Sequence, residues 1–335
     1  MNFLSKRFKV VILNLSHPSF DVEKNILEDI AELRMFWCNR PEEVIQVSKD
    51  ADAIMAADIA HVPLTREILS RLEKVKVISI YGVGTETVDL RAAKEYNIIV
   101  ANVPDYGISE VADHTMALAL SLTRKVPMLD KALREQGWER IRNNIDYVRE
   151  KFGEIRRLST LNFGLIGFGR IARAVAERAR AFGFKVIAYD PYVPKEAFEK
   201  TDVQKMEFEQ LLTESDIISI HVLLTEETRH MLGEREFKKM KKGSYIVNTS
   251  RGAVIDEDAL IEALKKRIIA GAALDVFEKE PLSKDSPLLQ MENVILTPHI
   301  AWYSEEAMLD QKRKTALNVR KVLEGEPPLY PVNVF

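Results

Sequence analysis

The chain has one cysteine, Cys38, among its 335 residues, so no disulfide can form within it and folding places no demand on the redox compartment. No apolar run approaches the roughly 20 residues needed to cross a bilayer. The short run Val10 to Leu13 is too brief for a signal peptide, and no small-residue cleavage site follows it. A first β-strand is the better reading, and a cytoplasmic protein is expected. Neither sign of charge dominates, with 48 Lys and Arg against 51 Asp and Glu and a net charge of −3. There is no electrostatic case for nucleic acid as a partner. The basic runs Lys238-Lys-Met-Lys-Lys242 and Lys265-Lys-Arg267 fall at expected helix ends, where cations suit the dipole. No Cys/His cluster has metal-ligand spacing, so no metal is expected. A G-x-S-x-G elbow and a G-K-[ST] loop are both missing, which leaves serine hydrolases and P-loop enzymes without support.

What is present is a chain long enough for two domains, 46 % hydrophobic and 30 % charged. Its most informative stretch is Phe163-Gly-Leu-Ile-Gly-Phe-Gly-Arg-Ile-Ala172, followed by Val186-Ile-Ala-Tyr-Asp190. An apolar strand runs into Gly167-x-Gly169-x-x-Ala172, a helical run follows, and a second strand ends on an acid. Gly167, Phe168, Gly169, Arg170 and Ile171 would form a turn on which a pyrophosphate meets bare backbone and the positive end of a helix. Asp190 lies 23 residues beyond Gly167, near the spacing at which a carboxylate grips both ribose hydroxyls. The acid also argues for NAD over NADP, because its charge would repel a 2′-phosphate.

Strands and helices alternate through the first hundred residues. Strands are expected at Lys9–Leu13, Arg34–Trp37, Ala53–Met55, Val75–Ile80 and Ile98–Ala101, and helices at Asp21–Leu33, Pro41–Lys49, Thr65–Glu73 and Asp89–Tyr96. A long helical region, Ser109 to Arg140, breaks near Val126-Pro127, and the stretch from Asn143 to Thr160 is polar. A second alternating series begins at the glycine turn, with strands at Ile217–His221, Ser244–Asn248, Ile269–Leu274 and Val294–Leu296. The helix Asp256–Lys266 opens on an acid suited to capping. A last helix, Ser304 to Leu323, has its own cap at Ser304. The pattern is α/β, with two doubly wound Rossmann-like domains and a cleft expected between them.

Three successive strand ends in the second series carry chemistry. Asn248-Thr-Ser-Arg-Gly252 supplies Arg251, Ala273-Leu-Asp-Val-Phe-Glu-Lys-Glu-Pro281 supplies carboxylates, and Thr297-Pro-His299 supplies an imidazole. Open α/β sheets bind ligands along that edge. Taken singly, a strand-end arginine serves as a salt-bridge partner as often, a loop glutamate as solvated surface, and a histidine after proline as a turn residue. Together, beside a dinucleotide, they are what reduction of a 2-oxo acid requires. Arginine pairs with the substrate carboxylate and polarises the carbonyl. Histidine exchanges the alkoxide proton, and a glutamate fixes its tautomer. Spacing alone does not choose between Glu278 and Glu280. His17, His61 and His230 have no evident partner and read as surface residues, while His114 and His221 read as structural.

With these residues the chain resembles the D-isomer-specific 2-hydroxyacid dehydrogenases over nearly its whole length. The pieces that carry the likeness are Gly82-Val-Gly-Thr-Glu-Thr-Val-Asp89, Asn102-Val-Pro104, Val111-Ala-Asp-His114, the glycine turn, Asn248-Thr-Ser-Arg-Gly252, Asp275-Val-Phe-Glu-Lys-Glu-Pro281 and Thr297-Pro-His299. The resemblance implies that Arg251, Glu280 and His299 are catalytic. It implies that the backbone amides of Val83 and Gly84 hold the substrate carboxylate. Thr249 and Asp275 would lie near the nicotinamide ribose or carboxamide, and Thr225 along the cofactor wall. It further implies a substrate-binding domain from 1–103 and 300–335, an NAD-binding domain from 104–299, and a homodimer through helices within 109–140, with the polar stretch after them an arm or linker.

Within the family, Pro298-His-Ile-Ala-Trp-Tyr-Ser304 is similar to the branch of the C-terminal binding proteins, which are NAD-sensing corepressors, and that likeness places Trp302 in the substrate pocket. A packing role for Trp302 is the plainer alternative. The chain departs from its relatives at Ile80, where those corepressors have an arginine, and at Ala56-Ala-Asp58, where phosphoglycerate dehydrogenases carry arginines. No regulatory domain is expected after Phe335. The expected activity is reversible, NAD-dependent hydride transfer to a small 2-oxo acid of hydroxypyruvate, glyoxylate or phosphoglycerate type. An NAD-sensing binding protein is the alternative.

Overall fold

The computed structural model describes residues 7–333 except Pro18, Asp58 and Asn143; Asp58, Asn143 and Phe335, named above, lie outside the described residues. The chain divides into two compact units. One is built from the residues up to Gly107 and from Ser304 onward, the other from Ile108–Tyr303.

The first unit runs β1 (Phe8–Leu13), α1 (Asp21–Leu27), β2 (Ala31–Phe36), α2 (Pro41–Ser48), β3 (Ala53–Ala56), α3 (Arg66–Leu69), β4 (Val77–Ile80), α4 (Leu90–Glu95) and β5 (Ile99–Ala101). Its five strands are parallel in the order β2-β1-β3-β4-β5. Helices cover both faces, so β3 and β4 are buried throughout rather than alternating, and apolar but for Ser79. α1 and α3 are clearly shorter than their sequences suggest, α3 covering only Arg66–Leu69 of the expected Thr65–Glu73. α1 stops at Leu27, and the residues expected to extend it turn into β2. That strand lies at the sheet edge, where exposed Glu32, Arg34 and Met35 imitate the polar face of a helix.

In the second unit the long helical region is three helices, α5 (Ile108–Arg124), α6 (Val126–Gln136) and α7 (Trp138–Arg142). The breaks fall at Lys125 and Gly137, both with positive φ. Then α8 (Ile145–Phe152) occupies much of the polar stretch, capped by Asn144, whose side chain accepts from the Tyr147 amide. Its Ile145, Val148 and Phe152 recur at helical spacing, a signal masked by the charges between them.

The series continues with β6 (Asn162–Ile166), α9 (Arg170–Ala181), β7 (Lys185–Tyr189), α10 (Lys195–Glu199), β8 (Gln204–Lys205), α11 (Phe208–Glu214), β9 (Ile217–Ile220), α12 (Glu234–Lys239), β10 (Tyr245–Asn248), α13 (Glu257–Lys265), β11 (Gly271–Leu274) and β12 (Val294–Leu296). All seven strands are parallel, in the order β12-β11-β10-β9-β6-β7-β8. The chain reverses direction across the sheet between β6 and β9. Both units are therefore doubly wound α/β sheets. Asp256 caps α13 by accepting from the Ala259 amide at 3.0 Å.

α14 (Glu305–Leu323) begins at Ser304, whose hydroxyl accepts from the Ala307 amide at 2.9 Å. It belongs to the first unit, where Ala316 and Val319 are buried with Val10, Ile12 and Leu27. Among the described residues no helix is long and apolar enough to cross a membrane.

The core beneath the glycine turn is aromatic. Phe163 on β6 is fully buried and meets Phe184 edge-on at 5.3 Å between centroids. Phe163→Ala should lower the free energy of unfolding by about 3–5 kcal/mol, as deletion of a packed ring does. Urea denaturation reads this directly, and a loss below ~1 kcal/mol would show that the strand is not packed as described.

Candidate functional site

The C-terminal ends of the second sheet hold most of the residues singled out above. β6 leads into Gly167, whose φ of +89° a side chain would strain. A Cβ there would also lie 2.7 Å from the carbonyl oxygen of His221, on β9's side of the switch point. Gly169 ends the turn, and a Cβ on it would meet nothing within 4 Å, so the space above is open. The first hydrogen bond of α9 runs from the Arg173 amide to Gly169. The amides of Arg170 and Ile171 precede it and have no partner within the helix. Phe168 is different in kind: its ring is buried and stacks on Phe198 at 4.3 Å, so only its backbone belongs to the turn.

Asp190 closes the turn from the end of β7. One carboxylate oxygen accepts from the Phe168 amide at 2.8 Å, the other from the amides of Tyr192 at 2.9 Å and Val193 at 3.2 Å. An ionised carboxylate has about four acceptor sites, so capacity remains for a hydroxyl. Open backbone, a helix N-terminus and a half-buried carboxylate together fit a dinucleotide. Thr225 sits on an exposed turn in which its amide donates to the Thr228 hydroxyl at 2.8 Å.

Beyond β10, β11 and β12 the loops bring two of the three candidate catalytic groups into contact. His299 Nδ1 lies 2.7 Å from Glu280 Oε2, while Glu280 Oε1 accepts from the Phe277 amide at 3.0 Å. Burial pushes the Glu280 carboxyl up, but the bond to His299, the imidazole's charge, the Phe277 amide and the nearby Arg251 outweigh it, and the group lies below its ordinary range. Glu280 is thus ionised at neutral pH. Glu278 points elsewhere, to His230 at 2.8 Å and to the Glu257 amide at 3.3 Å. The structure separates two acids that spacing could not.

Arg251 follows β10 on a loop fixed by Asn248, a residue the sequence reading quoted but gave no task. Asn248 is fully buried; its oxygen accepts from the Ser250 amide and hydroxyl, each at 3.0 Å, and its nitrogen donates to the Arg251 carbonyl at 2.9 Å. Gly252 lets the two loops touch. A Cβ there would lie 1.9 Å from the Phe277 carbonyl carbon, so backbone packs on backbone between the Arg251 and Glu280 segments.

His299 has a φ of +52°, a strained conformation for a residue with a side chain. Asp275 holds it there. The Asp275 carbonyl accepts from the His299 amide at 2.7 Å. Its carboxylate accepts from the Thr297 hydroxyl at 2.6 Å and from the amides of Ile300 and Ala301 at 3.0 and 2.9 Å. The Trp302 indole donates to the His299 carbonyl at 3.1 Å. Asp275 is thus buried and engaged on both oxygens, and Trp302 is half-buried. Thr249 faces α5 rather than open space, with its hydroxyl 2.8 Å from that of Thr115.

The remaining histidines all have partners, which three of them were not expected to have; His61 and His230 are exposed as expected, and His17 is half-buried. His17 accepts from the Ser19 amide, His61 lies 3.1 Å from the Cys38 carbonyl and stacks on Trp37, and His230 pairs with Glu278. His114 lies 3.0 Å from the Thr297 hydroxyl, which itself donates to Asp275, so His114 is the donor. His221 sits 2.8 Å from Ser219, and burial pushes its imidazole down to about 3. Among the described residues no group of acids, histidines and cysteines could hold a metal.

In the first unit, Val83 and Gly84 follow β4 at the C-terminal edge of its sheet. Gly82 has a φ of +124°, and the loop is pinned by bonds from the Val103 amide to Gly82 at 2.8 Å and from Asn102 to the Val83 carbonyl at 2.7 Å. Ile80 is buried.

Residues 116–301 match the family model described as D-isomer specific 2-hydroxyacid dehydrogenase, NAD binding domain. The chain belongs to that family. A D-3-phosphoglycerate dehydrogenase of Methanocaldococcus jannaschii is 40 % identical over 318 residues, covering 95 % of this chain and 58 % of that protein. A glyoxylate reductase of Korarchaeum cryptofilum is 38 % identical over 292 residues, covering 87 % and 85 %. Little more than half of the first relative's length is therefore spanned. Among solved structures, a D-lactate dehydrogenase from Aquifex aeolicus complexed with NAD and lactic acid superposes with a TM-score of 0.85 at 29 % identity, covering 97 % of this chain and 99 % of that one.

One titration follows from the family's cofactor edge. The His221 imidazole is held at about 3 in the folded chain against an ordinary 6.5, so the unfolded chain takes up a proton that the native one refuses. Its contribution to stability is full above about 6.5 and is lost progressively as pH falls toward 3. Urea midpoints at a series of pH values should fall across this window, and His221→Gln should flatten the slope. An unchanged slope in the variant would assign the acid sensitivity to other groups.

Proposed function

We propose that the protein is an NAD-dependent dehydrogenase that interconverts a small 2-oxo acid and the D-2-hydroxy acid. The observation that carries this reading is the His299–Glu280 pair at 2.7 Å, at the same sheet edge as the open glycine turn. When bound, NADH supplies the hydride that reaches C2 of the oxo acid. The chain's own residues do the rest. Glu280, ionised, accepts from Nδ1–H of His299, which fixes the ring and leaves Nε2 to give its proton to the forming alkoxide. The carboxylate next to it offsets the positive charge of the ring while it carries both protons. Arg251 binds the substrate carboxylate and polarises the carbonyl, and the amides of Val83 and Gly84 take the carboxylate from the first unit's loop. Asp275 and Trp302 keep the His299 turn in its strained form, and Thr249 and Thr225 would border the cofactor.

Hydroxypyruvate, glyoxylate and phosphohydroxypyruvate are the substrates to try first, in keeping with the names of the relatives, and phenylpyruvate tests for an apolar pocket at Trp302. A homodimer through helices within 109–140 belongs to the same proposal. It is supported by Val126, Leu133 and Trp138, which expose 59, 38 and 60 % of their surface. A cytoplasmic location fits Cys38, which is buried as a free thiol.

Steady-state assays with NADH and these four oxo acids should give turnover on at least one. His299→Gln should reduce kcat by about 10²–10⁴-fold while NADH affinity stays unchanged. NADH binding with no turnover on any of them would sink the enzyme reading. Asp190 should make NADH better than NADPH by about tenfold or more, since a carboxylate beside a 2′-phosphate is a like-charge contact. Equal kcat/KM with the two cofactors would contradict the role given to Asp190.

A further inference from the structure

Within the first unit, α14 turns a stripe of buried polar residues toward β4 and the loop that follows it. Gln311, Thr315 and Asn318 recur at helical spacing, and each is at least nine-tenths buried. At one end of the stripe Asn318 is engaged. Its nitrogen donates to the Ser79 hydroxyl at 3.3 Å and to the Asn102 carbonyl at 3.0 Å, and its oxygen accepts from the Leu329 amide at 2.9 Å. Toward the other end the partners run out. The Thr315 hydroxyl is buried without a hydrogen bond. Gln311, one turn nearer the start of α14, is 9 % exposed, and its carboxamide bonds to none of the described residues.

That carboxamide faces the loop given to the substrate carboxylate. A Cβ built on Gly82 would lie 3.8 Å from the Gln311 amide nitrogen and 3.7 Å from the Tyr106 hydroxyl. These are ordinary contact distances, so the bare backbone of Gly82 leaves room for one more atom beside two polar groups. All of these residues belong to the first unit, and none lies in the helices assigned to the dimer. The neighbouring cations on α14 are already engaged. Lys312 donates to the Ser19 carbonyl at 2.5 Å and lies 3.7 Å from Glu23, and Lys314 pairs with Asp105 and Asp310, each at 3.1 Å. Arg313 is exposed, two residues along and so on the far side of the helix. What α14 offers at Gly82 is therefore polar and neutral.

A buried amide without a partner is unfavourable, and a ligand hydroxyl that reaches it removes that penalty. We propose that Gln311 selects the group on C3 of the substrate. With the carboxylate on the Val83 and Gly84 amides, a C3 hydroxyl bonds to the Gln311 carboxamide, so the substrates are 3-hydroxy-2-oxo acids and the products 2,3-dihydroxy acids. A methyl group on C3 would leave the amide unpaired, and a phosphate would find no unengaged cation on this face of α14. The proposal rests on the reading of the Gly82–Gly84 loop as the carboxylate site.

Calorimetry on the chain saturated with NADH, where a hydroxy acid can bind without reacting, tests this apart from turnover. D-Glycerate, which carries the C3 hydroxyl, should bind about tenfold more tightly than D-lactate, which lacks it. Gln311→Met, close in volume, should bring the two affinities within about twofold of each other, while the exposed Arg313→Met should keep the gap. In steady-state assays the same gap should separate kcat/KM for hydroxypyruvate from that for pyruvate. Equal binding of the two acids, binding of neither, or an undiminished gap in Gln311→Met would each overturn the proposal. A binding gap that Gln311→Met removes, found without turnover on any oxo acid, would uphold the hydroxyl site and overturn the dehydrogenase reading instead.

Discussion

Presentation of the imidazole depends on Asp275. Its carbonyl and both carboxylate oxygens draw the Thr297–Ala301 turn onto the end of β11, and His299 at the centre of that turn adopts a φ that its own side chain disfavours. Strain of this kind persists only where surrounding bonds over-determine it. Here three amides and a hydroxyl converge on one residue, and the Trp302 indole secures the His299 carbonyl from the other side. The ring is therefore placed by backbone, which leaves the side-chain nitrogens for Glu280 and for a ligand.

The sheet supplies the second constraint. Parallel strands place all their carboxyl ends on one edge, so Gly167, Asp190, His221, Thr249, Asp275 and His299 share an edge although they are scattered over more than a hundred residues of sequence. Close approach at the reversal between β6 and β9 requires a residue without a side chain, which is why Gly167 faces the His221 carbonyl. The same arrangement leaves open ground above Gly169.

Much of this was legible in the amino-acid order. Alternating apolar runs gave both sheets, and Asp256 and Ser304 announced the caps that the structure forms. The glycine turn with its acid, and Arg251, Glu280 and His299 at strand ends, could be named from position alone or by family likeness. What was hidden depends on distance in space. The start of β2, Ala31–Leu33, looked helical because an edge strand exposes charge much as a helix does. Of the acids near Pro281, only the fold sends Glu280 to His299 and Glu278 to His230. Asn248 and Asp275 anchor loops through bonds to backbone atoms that carry no residue label in a sequence. Phe168 appears in the turn by position, yet its ring belongs to the core.

The contact at Gly252 has a mechanical consequence. With backbone stacked on backbone between the Arg251 loop and the Phe277–Glu278 segment, the two loops share one rigid seam. Any excursion of one must carry the other with it. Diversification of the ligand pocket is thereby channelled away from these loops, toward surfaces whose backbones are not welded together. A designer seeking a new substrate for this scaffold would treat the seam as fixed masonry and recut the stones around it.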